Sequence, residues 1–234
     1  ALRHDFTSEV LSRWTAPEDE SRIALLTGPP RSGTTLLERV LDAHPEILCS
    51  DEREAFPSYI LPTVLSKSAN RPPVFDVETL DKITDRALEA QRDRYRNYLC
   101  WALGEDQGER WLIDKNPSTV PLLPGFLRTV PSGKILYASR DPCDVVLSCF
   151  FRYLPLNSVS ARFLEIRTAA ERTRFEIETW HRYREVLTDQ WAEVAYEDLV
   201  SDFAGALTPI LNLLGLPWHE DLTHYRDQNV HKAV

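Results

Sequence analysis

The residues with the clearest chemical purpose in this 234-residue chain form one short segment, Thr27-Gly28-Pro29-Pro30-Arg31-Ser32-Gly33-Thr34-Thr35. Gly28 and Gly33 let a backbone turn tightly around an anion. Ser32, Thr34 and Thr35 offer hydroxyls, and Arg31 adds a permanent charge with a fork of donors. An apolar run precedes the segment and a helical repeat follows it. A loop so placed aims backbone N–H groups and a helix dipole at one point, which favours phosphate or sulfate. Against the pattern G-x-x-x-x-G-K-[ST], both glycines match, but Thr34 stands where a nucleoside triphosphatase has its lysine. The cation has moved upstream, to Arg31.

A second segment has the same logic: Ser139-Arg140-Asp141-Pro142-Cys143-Asp144-Val145-Val146-Leu147-Ser148. Arg140 follows a buried apolar run, at the strand end where open α/β sheets bind ligands. Asp141 reads as the N-cap of the next helix and Pro142 as its first residue. Ser148 carries the one good hydrogen-bonding side chain between Val145 and Cys149. The plain alternative is that Arg140 merely pairs with Asp141 or Asp144. Two anion sites on two strand–helix junctions suit a ligand with anionic groups at two separate points. ATP would not require the second.

The elements that must position these residues can be read from the spacing. Arg22 to Thr27, Trp111 to Ile113, Lys134 to Ser139 and Trp191 to Tyr196 are short apolar runs, as in buried parallel strands. Helical periodicity follows Gly33, spans 78–103 and 161–187, and runs over 199–214 to a stop at Gly215 and Pro217. Residues 1–20 read as a short amphipathic helix and polar connector, and residues 70–76 as a loop. The order predicts an α/β fold: a P-loop-like, doubly wound parallel sheet flanked by helices, with one domain over 21–234.

Composition narrows the function. The hydrophobic fraction of 43% is that of a globular chain, and the net charge of −9 argues against a nucleic-acid partner. The four cysteines form no CxxC pair and no zinc spacing, so they read as buried or half-buried thiols and no metal is expected. No apolar run reaches the ~20 residues of a membrane helix, and no signal peptide is visible. The expectation is a cytoplasmic segment without membrane contact.

The run PPRSGTTLLERVLDAHPEI resembles the 5′-phosphosulfate loop of sulfotransferases that use 3′-phosphoadenosine 5′-phosphosulfate (PAPS). It is most similar to the branch of tyrosylprotein sulfotransferases and bacterial tetratricopeptide-repeat sulfotransferases. Pro29 is a small departure from the pattern. The resemblance implies that Pro30, Arg31, Ser32, Gly33, Thr34 and Thr35 hold the 5′-phosphosulfate. Arg140 and Ser148 match the 3′-phosphate motif in type and spacing. Tyr196-Glu197-Asp198-Leu199 is similar to a family segment that puts Tyr196 near the nucleoside.

Sulfuryl transfer needs a base for the acceptor hydroxyl and a cation for the leaving group, with in-line positioning. The resemblance implies Lys115, in Asp114-Lys115-Asn116-Pro117, for the leaving group, with Arg31 beside it. It implies Glu52 as base, four residues before Phe56-Pro57. Glu54 competes closely and Asp51 is a further candidate. His44, before Pro45, reads rather as a cap or packed residue. The implied activity is metal-independent transfer to a hydroxyl of a peptide tyrosine, a carbohydrate or a small molecule, leaving 3′,5′-adenosine diphosphate (PAP). Residues 53–76 and 150–165, with Phe150, Phe151, Tyr153 and Phe163, are expected to shape the acceptor pocket. Relatives often continue past the equivalent of Gly215-Leu216-Pro217 into a nucleotide-covering segment with a glycine-arginine-tryptophan motif, and that motif does not occur between Pro217 and Val234. The rival readings are a P-loop kinase or nucleotide hydrolase, and a non-catalytic nucleotide-binding module.

Overall fold

The computed structural model describes residues 2–14, 19–53, 55–65, 75–152 and 160–227. Its frame is a five-stranded, wholly parallel sheet in the order β2-β3-β1-β4-β5. The strands are β1 (Ile23–Thr27), β2 (Ile47–Cys49), β3 (Trp111–Lys115), β4 (Lys134–Ser139) and β5 (Trp191–Ala195). β1, β2 and β3 are buried at every residue, which explains their unbroken apolar character.

Alternation of side chains splits the core into two layers. Ile23, Leu25, Leu112, Ile135 and Tyr137 point to one face, where Tyr95, Phe126, Trp180 and Tyr183 cover them. Phe6, Val10 and Trp14, from the short helices near the N-terminus, are buried in this same layer. Ala24, Leu26, Ile113, Leu136 and Val194 point to the other face, under Leu37, Val40, Leu207 and Ile210. Each fully buried large side chain contributes roughly 1.5–3 kcal/mol relative to exposure.

Several elements differ from the sequence expectation. β2 was not anticipated, because a three-residue strand after His44-Pro45 is too short to show a pattern. β3 runs on past Ile113 to Lys115. The 78–103 periodicity is two helices, Val77–Asp81 and Asp85–Leu103, each started by its own cap, Asp76 and Thr84. The 161–187 pattern is a 3-10 turn, Ser160–Leu164, followed by a helix, Ile166–Val186. Asp202 likewise separates Tyr196–Ser201 from Phe203–Leu214, and Gly215 ends the latter at φ 67°. Most of the expected 70–76 loop falls outside the described residues.

The chain leaves β1 toward β2 on one side, and leaves β4 toward β5 on the other. β1 and β4 are neighbours. The crevice beyond their C-terminal ends is therefore the topological switch point, where open α/β sheets take ligands. Arg31 follows β1 and Arg140 follows β4, so the fold brings the two sequence motifs to one place.

Candidate active site

The loop after β1 is shaped by what its glycines touch. A Cβ on Gly28 would run into the carbonyl oxygen of Ala138, so the loop lies flat against the end of β4. A Cβ on Gly33 would sit 2.8 Å from the ring of Tyr196, and Gly33 starts the helix Thr34–Leu41 at φ 100°. Arg31 between them has a left-handed φ of 69°. The other non-glycine residues with positive φ among those described are Asp51 at 55° and Ser118 at 64°. Arg31 and Ser118 line this crevice, and Asp51 immediately precedes Glu52, which also does. Local strain of about 1–3 kcal/mol per residue persists only where the surroundings enforce it, and it concentrates at functional sites.

Arg140 reaches into the same space. Its guanidinium lies 4.6 Å from the centre of the Tyr196 ring, and Nη1 donates to the Arg31 carbonyl at 3.4 Å. Nη2 pairs with Asp144 at 2.9 Å, so the local ion pair foreseen as the plain alternative does form. It occupies one edge of the guanidinium only. Nε is buried and makes no hydrogen bond, as does the Ser32 hydroxyl in the first loop. Asp141 accepts from the N–H groups of Cys143 and Asp144 and is the expected N-cap. Ser148 joins the first loop through Arg31, whose Nε donates to its Oγ at 3.3 Å.

Pro30, Arg31, Gly33, Thr34, Thr35, Glu52, Arg140 and Tyr196 line one cleft of about 590 Å³, together with Pro117, Ser118 and Phe163. Leu36 and Ser160 also line it; these two, with Pro117 and Ser118, were not individually given a site role from sequence, while the expected Ser32, Ser148 and Lys115 do not line it. Phe163 lines the cleft and is also buried in a small core cluster with Val145, Cys149 and Ala169. Phe150 and Phe151 are exposed and do not line the cleft. Tyr153 and Glu54 lie outside the described residues.

Lys115 sits just behind this cleft, buried at the end of β3. Its Nζ lies 2.6 Å from Glu38, 3.1 Å from Asp51 and 3.5 Å from Glu52, with the Thr35 hydroxyl at 3.5 Å. Burial disfavours the Lys115 charge, but the carboxylates outweigh it and hold its pKa above the ordinary lysine value. Burial also works against the Asp51 carboxylate, yet its bonds from Lys115 and the Glu52 N–H keep its pKa below the usual range. Glu38 is the reverse case: burial dominates its attraction to Lys115 and lifts it to about 7. Behind Lys115, Asp114 accepts from Tyr95 at 2.6 Å and Ser50 at 3.0 Å, and burial pushes it to about 6.

Glu38 was missed by sequence reading. The signal was present, since Glu38 takes the place after Leu37 in the buried stripe Thr34, Leu37, Glu38 and Leu41. A carboxylate in such a stripe needs a partner. His44, by contrast, is used up structurally. Its Nδ1 accepts from the Glu46 N–H at 3.1 Å, and Nε2 faces the Pro217 carbonyl at 3.0 Å. Of the four free cysteines, Cys49 and Cys149 are buried, Cys100 is half-buried and Cys143 is exposed, contrary to the expectation for Cys143. Among the described residues, no group of three or more His, Cys, Asp or Glu side chains is placed to hold a metal ion. No described helix is long and apolar enough to cross a membrane.

Comparison with known proteins places this geometry. Protein-tyrosine sulfotransferase 2 of Gallus gallus is 26% identical over 217 residues, covering 89% of this chain and 55% of that protein. This chain spans about half the length of the first curated relatives it matches. The sulfotransferase domain of the Synechococcus PCC 7002 olefin synthase superposes with a TM-score of 0.63 at 24% identity, covering 93% of this chain and 82% of that one. A mouse sulfotransferase complexed with PAP superposes with a TM-score of 0.52 at 18% identity, covering 96% of this chain and 69% of that one. The model of the Sulfotransferase family matches residues 24–220, most of the length, and the chain belongs to that family.

Proposed function

We propose that this chain binds PAPS across the β1–β4 crevice and transfers its sulfuryl group to an acceptor hydroxyl, releasing PAP. One observation carries the reading: Arg31 and Arg140 come from two strand–helix junctions, line one cleft and touch each other. A ligand with anionic groups at both ends of one ribose makes use of both; a triphosphate needs only one.

The residues present fit such a ligand. The Gly28–Gly33 cradle, the unpartnered Ser32 hydroxyl and the hydroxyls of Thr34 and Thr35 supply donors for the 5′ end. Arg140, with its unpartnered Nε, and Ser148 supply donors for the 3′-phosphate. PAPS, when bound, supplies the sulfuryl group and a nucleotide phosphate as leaving group. Arg31 and Lys115 hold positive charge where negative charge develops on that leaving group. Glu52 lines the cleft and is the group to take the acceptor proton. These cations meet the charge without a metal. The relatives named as protein-tyrosine sulfotransferases favour a phenolic acceptor.

The kinase reading loses ground on Thr34 and on Asp141, whose carboxylate is committed to capping a helix. The test is transfer of labelled sulfuryl from PAPS to tyrosine peptides, oligosaccharides and small phenols or alcohols, each with PAP release followed. Transfer to any of them supports the reading. PAP binding with no turnover toward any of them would favour the non-catalytic module.

A further inference from the structure

The cleft is built for a polyanion, yet the ammonium at its base is surrounded by negative charge. Glu38, Asp51 and Glu52 all lie within 3.5 Å of Lys115 Nζ. One cation faces three carboxylates at the place where a sulfated nucleotide must bring more negative charge. Something has to give when the ligand enters.

Asp51 and Glu52 have an easy escape. Their side chains are 56% and 59% exposed, so water can take over as partner when either leaves Lys115. Glu38 cannot. Its side chain is 5% exposed and is held on the buried face of the helix Thr34–Leu41. Its Oε2 holds Lys115 at 2.6 Å and the Asp51 N–H adds some support to the charge, while Oε1 is buried without a well-formed hydrogen bond. A buried carboxylate that shares its one cation with two others is relieved by gaining a proton, since that removes the cost of a desolvated charge.

We propose that Glu38 is a positioning residue that takes up a proton from solvent as the nucleotide binds, and so frees an N–H of Lys115 to face the ligand. Lys115 keeps its own proton throughout. In the empty site, ionised Glu38 holds the ammonium in place; in the filled site, the neutral acid lets it turn to the anion. The inference rests on the PAPS reading above and names how that site accommodates its charge.

The groups around Glu38 agree. β3 contributes Lys115, the loop after β2 contributes Asp51 and Glu52, and β2 contributes the Cys49 thiol, pushed well up by burial and so neutral. Asp42, one turn along the same helix, accepts the Cys49 N–H. The turn Glu220–His224 also packs on this helix; its Asp221 faces His219 at 3.4 Å and its His224 faces Asp227 at 3.8 Å. Burial holds Glu38 at about 7, near enough to neutrality for an added negative charge to protonate it. Proton uptake of this kind weakens binding as pH rises above that value.

The experiment is calorimetry of PAP binding by the whole chain, wild type beside Glu38→Gln, between about pH 7.5 and pH 8.5. The nucleotide's own phosphates, with a second pKa of about 6, are already ionised there. Wild type is expected to take up about one proton per PAP, read from buffers of different ionisation enthalpy, and to lose affinity about tenfold per pH unit. Glu38→Gln is expected to show no uptake, a flat profile, and about tenfold tighter binding than wild type at the upper pH. Tighter binding is an outcome that damage to the fold would not produce. Should the variant not fold, the wild-type uptake decides alone. Wild-type binding without uptake, or a variant whose profile parallels wild type, overturns this inference and leaves the PAPS reading standing. Absence of PAP binding by wild type at any pH overturns both.

Discussion

Arg31 Nε donates to Ser148 Oγ at 3.3 Å, joining the loop after β1 to the helix after β4. The two residues are far apart in sequence, and each belongs to a different anion motif. The bond links the two ends of the proposed nucleotide site. Arg31→Ala removes charge-assisted bonds worth about 1.5–3 kcal/mol, so PAP affinity should fall roughly 10–100-fold. Ser148→Ala removes neutral bonds of about 0.5–1.5 kcal/mol and should cost only a few-fold to tenfold. Titration calorimetry of both variants gives the order, and an equal effect would contradict it.

Gly33 is where loop, helix and Tyr196 meet. A methyl group there lies 2.8 Å from the Tyr196 ring, at a φ of 100° that side chains rarely adopt. Gly33→Ala should cost about 1–3 kcal/mol in stability from backbone strain. It should also weaken PAP binding, because the displaced ring is the one under Arg140. Thermal unfolding and calorimetry read the two effects separately.

Glu52 lines the cleft, 3.5 Å from Lys115 and exposed to an incoming acceptor. As general base it should contribute about 10²–10⁴ in rate. Glu52→Gln is therefore expected to lower kcat by that factor while PAP affinity changes little. Comparison of kcat with the PAP dissociation constant checks it; a matched loss in both would make Glu52 a binding residue instead.

Glu176 is fully buried, and its pKa is raised by burial to about 7, against the attraction of Arg172 at 3.6 Å. The folded state thus binds its proton more tightly than the unfolded state, whose ordinary value is 4.5. Stability should fall as pH rises from about 4.5 to about 7, and stay at the lower level above that. Glu176→Gln removes this loss and should gain up to about 3 kcal/mol at pH 8, less whatever Arg172 loses with its partner. Urea unfolding of both proteins at pH 5 and pH 8 checks the sign: the variant's advantage should be larger at pH 8.

The two junctions that meet at the cleft were legible in the sequence because each is a local pattern. Arg31, Gly33 and Thr34 sit in one loop, and Arg140 and Ser148 in one strand–helix junction, so spacing alone reports them. The sheet was legible for the same reason, since buried parallel strands such as β1 and β4 are unbroken apolar runs. β2 was not, because three residues carry no period. The cluster around Lys115 was half legible: Lys115 and Glu52 were found through family likeness. Glu38 was passed over because it lies on the helix after β1 and its partner on β3, and only the fold brings them within 2.6 Å.

The central claim is a two-ended anion site that needs no metal, and the most direct test is calorimetry with PAP in metal-free buffer beside ATP with Mg²⁺. Binding of PAP without metal, lost in both Arg31→Ala and Arg140→Ala, is the predicted result. Preference for ATP with Mg²⁺, with Arg140→Ala indistinguishable from wild type, would contradict it and make the site that of a kinase or nucleotide hydrolase.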